Sequence, residues 1–147
     1  YVMGEHGDSS FVPWSIANIS NVPIADCSRV IAGANEISPA LNYEEVEQYV
    51  RKSGGRVIER KGATFYAVSV SVCHICKCLL HGIDTTMTVS TPMHGEYGVE
   101  DVCLSVLNIL GKEGAHSKVL LPLTTEEIIK LQHSAQTLKD VISQLDI

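Results

Sequence analysis

Two apolar segments facing each other across a short polar turn constrain this chain more than any other feature. Thr86-Met87-Thr88-Val89-Ser90 alternates with period two, and Val102 to Leu110 alternates or is apolar throughout. Between them His94-Gly95-Glu96-Tyr97-Gly98 has the composition of a hairpin turn. Period two sends successive side chains to opposite faces, so the two runs are predicted to pair antiparallel with one face available to a core. Gly111 to Gly114 supplies a second turn, after which Lys118 to Pro122 reads as a third short strand.

Helical patterns flank this meander. Asn42 is placed to cap a helix whose positive end is favoured by Glu44, Glu45 and Glu47, and Val46, Tyr49 and Val50 fall at helical spacing to about Lys52. Gly54-Gly55 is expected to weaken or bend that helix before Val57 and Ile58 resume it up to Gly62. Thr64 then precedes Phe65 to Leu80, a run with no turn signal whose length argues for a buried helix stopped by Gly82. Thr124-Thr125-Glu126-Glu127 opens a last helix, with Ile128, Leu131, Ala135, Leu138, Val141, Ile142 and Leu145 on one apolar face. Ser15 to Cys27 shows no period and reads as irregular. The order predicts an α+β fold, an antiparallel β-sheet with long helices, and not a doubly wound one.

A length of 147 residues fits one domain with a real core. The net charge of -6, from 17 acidic against 11 basic residues, comes with no basic stripe, so nucleic acid is not an expected partner. No apolar run approaches the roughly 20 residues of a membrane span, and no leader pattern opens the chain, so a cytoplasmic protein is expected. Five cysteines, Cys27, Cys73, Cys76, Cys78 and Cys103, sit mostly among apolar neighbours, which predicts buried free thiols in a reducing compartment. Tyr1-Val2-Met3 reads as the end of a buried strand feeding a glycine turn, so the chain is expected to open inside a structural unit.

Candidate chemistry concentrates in Gly4-Glu5-His6-Gly7-Asp8-Ser9. A glycine-flanked loop exposes an imidazole and lets a substrate approach the backbone, which suits a general acid/base. On spacing alone, a loop histidine with a structural hydrogen bond is the commoner case. A second constellation, Cys73-His74-Ile75-Cys76-Lys77-Cys78, has thiolates and imidazole in quantity but no matching pair elsewhere. Cys73 and Cys76 share a helix face that Cys78 does not, so a metal-binding module through Cys73, Cys76 and Cys78 stands only as an alternative, and no metal site is predicted. His81, His94 and His116 read as solvated loop histidines.

The hexapeptide around His6, followed by Pro13-Trp14-Ser15, resembles the active-site segment of the L-lactate dehydrogenases. Lys61-Gly62-Ala63-Thr64-Phe65-Tyr66 and His133-Ser134-Ala135-Gln136-Thr137-Leu138-Lys139 are similar to further stretches of that family, in the same order. The resemblance implies that residues 1–147 form the C-terminal substrate-binding and catalytic domain of the lactate/malate dehydrogenase fold, with the NAD-binding Rossmann domain absent from the chain. It implies His6 as proton donor and acceptor, Thr64 as a substrate contact, Val68 beside the nicotinamide ring, NAD as cofactor and a small 2-oxo or 2-hydroxy acid as substrate. Reducing a ketone requires hydride at carbon and a proton at oxygen, and an imidazole can deliver that proton near neutral pH. The family implies a homotetramer for the full-length protein and an inactive isolated fragment. At Gly54-Gly55 the family commonly has alanine and tyrosine. Two glycines remove bulk there, so a larger acid such as 2-hydroxyisocaproate stands beside lactate, and malate beside both.

Overall fold

In the computed structural model, residues 1–27 and 41–145 are described. The predicted meander is present: β3 (Thr85–His94), β4 (Glu100–Gly111) and β5 (Gly114–Lys118) pair antiparallel in the order β3-β4-β5. Thr91 lies opposite Leu104 and Val89 opposite Val106, so the period-two runs do share one face. Pro92, which has no amide to donate, sits on the edge strand beside a register shift. Gly95, at φ +107°, opens the connection between β3 and β4, and its amide donates to Val99 O at 2.8 Å.

The third strand is a correction. It runs over Gly114–Lys118, and the predicted Lys118 to Pro122 overlaps it at one residue. Lys112 and Glu113 form a two-residue turn, since Gly111 pairs Gly114 across it, and pairing therefore begins earlier than composition suggests. His116 accordingly lies in a strand rather than a loop. Beyond β5 the chain leaves the ladder after Val119 N–H donates to Leu107 O at 2.8 Å.

Three long helices accompany the sheet, two of which pack on β4. Helix α1 (Tyr43–Lys61) is capped by Asn42, whose side chain accepts from the Glu45 amide, and ends at Gly62 with φ +77°. It runs without a break through Gly54-Gly55, because neighbouring turns supply the hydrogen bonds that two glycines alone do not forbid. Helix α2 (Tyr66–His81) has Phe65 as its N-cap with no side-chain bond, so Thr64 does not cap it. Gly82 terminates it as predicted. The expected burial of α2 is overturned: it packs on β4, yet Tyr66, Val68, Val70, Val72 and Leu80 are exposed, and only Cys78 is buried. A helix apolar on all sides can lay only one strip against a sheet. For the same reason Cys73 and Cys76 are exposed, as is Cys103 on β4, and Cys27 is half-buried. Helix α3 (Thr125–Ile142) begins with a complete Thr124/Glu127 capping box and buries Leu131 and Ala135, while Val141, Ile142 and, just beyond the helix, Leu145 stay exposed.

The core lies between the sheet face carrying Val102, Leu104 and Val106, helix α3, and the N-terminal segment through Met3 and Phe11. Within the stretch expected to be irregular, β1 (Asn18–Ile19) and β2 (Val22–Pro23) form a small hairpin whose turn residues Ser20 and Asn21 both have positive φ. No single helix among the described residues is long and apolar enough to cross a membrane.

Candidate active site

The segment bearing His6 is built into the sheet at its start. Met3 exchanges backbone hydrogen bonds with Phe11 at 2.9 and 3.0 Å, and Gly4 does so with Ser105 of β4 at 3.0 and 2.9 Å. Residues 5–10 therefore form a closed arc standing on β4. Within it the Glu5 carboxylate accepts from the Ser9 amide at 3.0 Å and the Ser9 hydroxyl at 2.8 Å. The Glu5 amide donates to Ser134 Oγ of α3 at 2.7 Å, and Ser134 Oγ lies 3.1 Å from Ser9 Oγ. The Ser10 amide and hydroxyl both donate to Gly7 O. His6 stands exposed at the outer edge of this arc, with no hydrogen bond to its imidazole among the described residues.

Helix α1 holds the other end of the arc. Arg51 Nε donates to Ser10 O at 2.9 Å, and Arg51 Nη2 pairs with Glu47 Oε2 at 2.8 Å. Glu47 is 8% exposed, and its second oxygen accepts from the Trp14 indole at 2.7 Å. A buried carboxylate needs such compensation, and here both oxygens have it. Trp14 also stacks on Tyr43 with ring centroids 4.4 Å apart.

Helix α3 reaches back a second time. The Ser15 amide and hydroxyl donate to the two oxygens of Glu127 at 3.0 and 2.6 Å, and the Thr124 amide adds a bond at 2.9 Å. Burial opposes ionisation of Glu127, but these Ser15 and Thr124 donors outweigh it and hold its pKa below the usual glutamate value.

The other sequence-predicted residues lie apart from the arc. Thr64 is exposed in the link between α1 and α2, and Val68, 53% exposed, is on the first turn of α2. No hydrogen bond or ion pair among the described residues joins either to His6. Gly54 and Gly55 face open space, with nothing within 4 Å of an added Cβ. No group of three metal-ligating side chains comes together among the described residues, and Cys78 turns inward while Cys73 and Cys76 face out. Two cavities lie elsewhere: one of about 510 Å³ is lined by His94, Glu96, Asn108, His116 and Lys118, and one of about 540 Å³ is lined by Cys103 and Leu138 among others.

Sequence reasoning missed the anchors: Ser134, Ser15, Glu127, Glu47 and Arg51. Ser15 and Ser134 do fall inside stretches that carried the family resemblance, and the structure ties the Ser134 stretch directly to the His6 hexapeptide. Arg51 gave only the i,i+4 spacing from Glu47 as a signal, and none for its bond to the arc, because its partner there is a backbone carbonyl.

Comparison with known proteins gives a consistent picture. A family model described as lactate/malate dehydrogenase, alpha/beta C-terminal domain, matches residues 1–146. The L-lactate dehydrogenase of Thermoanaerobacterium saccharolyticum is 42% identical over 151 residues, covering 99% of this chain and 46% of that protein. That of Acetivibrio thermocellus is 35% identical over 147 residues, covering 100% and 45%. Among solved structures, malate dehydrogenase from Archaeoglobus fulgidus in complex with NADH has a TM-score of 0.79 at 32% identity, covering 99% of this chain and 43% of that one. The minor L-lactate dehydrogenase from Enterococcus mundtii has a TM-score of 0.84 at 28% identity, covering 100% and 46%. The chain thus spans about half the length of the curated relatives it matches.

Proposed function

The chain belongs to the lactate/malate dehydrogenase family, whose α/β C-terminal domain it forms, and on that premise we propose that it is the substrate-binding and catalytic part of an NAD-dependent L-lactate dehydrogenase. The observation that carries this reading is the exposed imidazole of His6, on an arc anchored to β4 at one end and to Arg51 of α1 at the other. In this reading His6, as imidazolium, gives its proton to the ketone oxygen of pyruvate and stabilises the charge developing there. In the reverse direction the neutral imidazole takes the proton from L-lactate. Thr64 contacts the substrate.

The residues present suit only the ring end of a dinucleotide. Val68, four residues after Thr64 in the chain, offers exposed apolar surface, and the sequence contains no glycine-rich phosphate turn. NADH, held mainly by a Rossmann half outside these residues, supplies the hydride. We assign residues 1–147 to the C-terminal domain of that larger protein, a cytoplasmic homotetramer. The exposed apolar side chains of α2 suit burial in such an assembly.

One observation favours a second substrate reading. The open space at Gly54 and Gly55 suits a bulkier 2-hydroxy acid such as 2-hydroxyisocaproate. Among the described residues no ligand cluster supports the cysteine-module alternative. The test is NADH oxidation by the full chain that the gene encodes, with pyruvate, oxaloacetate and branched 2-oxo acids compared by kcat/KM. Turnover of a 2-oxo acid is expected, and the 147 residues alone should show none. Absence of turnover of every acid by the full chain would overturn the reading.

A further inference from the structure

Hydroxyl groups in the interior of these helices usually bond back to their own backbone. Ser53, Ser69, Ser71 and Thr137 each donate to the carbonyl four residues earlier. Ser134 does not. Fully buried on α3, it meets the arc that carries His6. Proton directions there follow from chemistry. A carboxylate only accepts, so the single Ser9 hydroxyl proton goes to Glu5 Oε1, and the 3.1 Å contact must then be Ser134 donating to Ser9 Oγ. Ser134 Oγ in turn accepts the Glu5 amide. The result is a closed ring, from the Glu5 amide through Ser134 and Ser9 to the Glu5 carboxylate, with His6, Gly7 and Asp8 as the chain outside it.

The backbone is shaped to admit this hydroxyl. Gly4 has φ +101°, and a Cβ there would lie 2.6 Å from Ser134 Oγ. A Cβ on Gly7 would lie 2.5 Å from the Glu5 carboxylate. Both glycines that flank Glu5 and His6 are thus accounted for by room for the ring.

We propose that Ser134 is a positioning residue for His6: its hydroxyl closes the hydrogen-bonded ring that fixes the direction in which the arc presents the imidazole. This rests on the reading of His6 as the acid/base. Removing the Ser134 hydroxyl leaves the Glu5 amide without its acceptor and the Ser9 oxygen without the bond it accepts, and frees residues 5–9 to shift. A displacement of about 1 Å at a reacting group costs up to about 100-fold in rate.

The test uses the full chain encoded by the gene, with Ser134→Ala, Ser9→Ala, the double variant, and Thr137→Ala as control. Ser9→Ala opens the same ring from the loop side, should Ser134→Ala fail to fold. The expected result is a fall in kcat of about 10- to 100-fold for each ring variant, with KM for NADH within about twofold. The double variant should match the single ones, and Thr137→Ala should match wild type. Deuterium exchange of the peptide covering residues 5–10 should quicken in the ring variants alone. Unchanged kcat, or losses that multiply in the double variant, would overturn the proposal. If the wild type turns over no 2-oxo acid, the dehydrogenase reading falls instead. Exchange of residues 5–10 then decides the ring: the same protection in wild type and Ser134→Ala overturns it.

Discussion

The Ser15 hydroxyl donates to the Glu127 carboxylate at 2.6 Å, so the first turn of the last helix is tied to the segment that follows the His6 arc. Glu127 is only 6% exposed and also closes the capping box of α3. Glu127→Ala should therefore destabilise the protein by about 2–4 kcal/mol, combining a lost cap with buried donors left unpaired. Glu127→Gln, which keeps an acceptor, should cost less. Urea unfolding of the two variants against wild type measures the difference. Because the folded pKa is depressed, the Glu127 contribution is present above the ordinary glutamate value and fades as pH falls through the folded one.

A second acid-sensitive link lies across the hairpin. Lys118 donates to Glu96 at 2.7 Å, and the His94 amide adds a bond to the same carboxylate. The Lys118 hydrogen bond leads in pulling the Glu96 pKa from 4.5 to about 2. Folding is thus linked to ionised Glu96: the contribution is whole above 4.5 and is lost as pH falls towards about 2. Replacing Lys118 by Met should lower thermal stability at pH 8, where the contribution is whole, flatten the profile between 4.5 and about 2, and cost little at pH 2. An equal loss at both pH values would contradict this.

Glycines in this chain divide by what surrounds them. Gly54 lies inside α1 with nothing within 4 Å of an added Cβ, so Gly54→Ala should stabilise the protein by about 0.5–1 kcal/mol through helix propensity and a less free unfolded chain. Gly4→Ala meets both a positive φ and Ser134 Oγ, and should destabilise it. Thermal melts of the two variants should move in opposite directions.

Much of the fold was legible because its signals are local. Alternation marked β3 and β4, Asn42 and Gly62 marked the ends of α1, and Thr124 with Glu127 marked the start of α3. The position of β5 was not legible, because Gly114-Ala115-His116-Ser117 carries no strand-favouring side chain and is held by the turn before it. Periodicity also cannot say how much of an apolar helix finds a partner, which is why α2 was expected to be buried. At the site, His6 could be picked out by its glycine-rich setting and by resemblance. Its anchorage could not, since Glu5 and Ser134 meet across 129 residues and the first contributes a backbone amide.

The central claim is that His6 moves the proton. In the full chain, His6→Gln should lower kcat/KM for the preferred 2-oxo acid by about 100- to 10,000-fold, while NADH affinity read by fluorescence stays within about twofold. The imidazole makes no hydrogen bond among the described residues, so its loss should leave the arc intact. Retention of wild-type kcat/KM by His6→Gln would contradict the assignment.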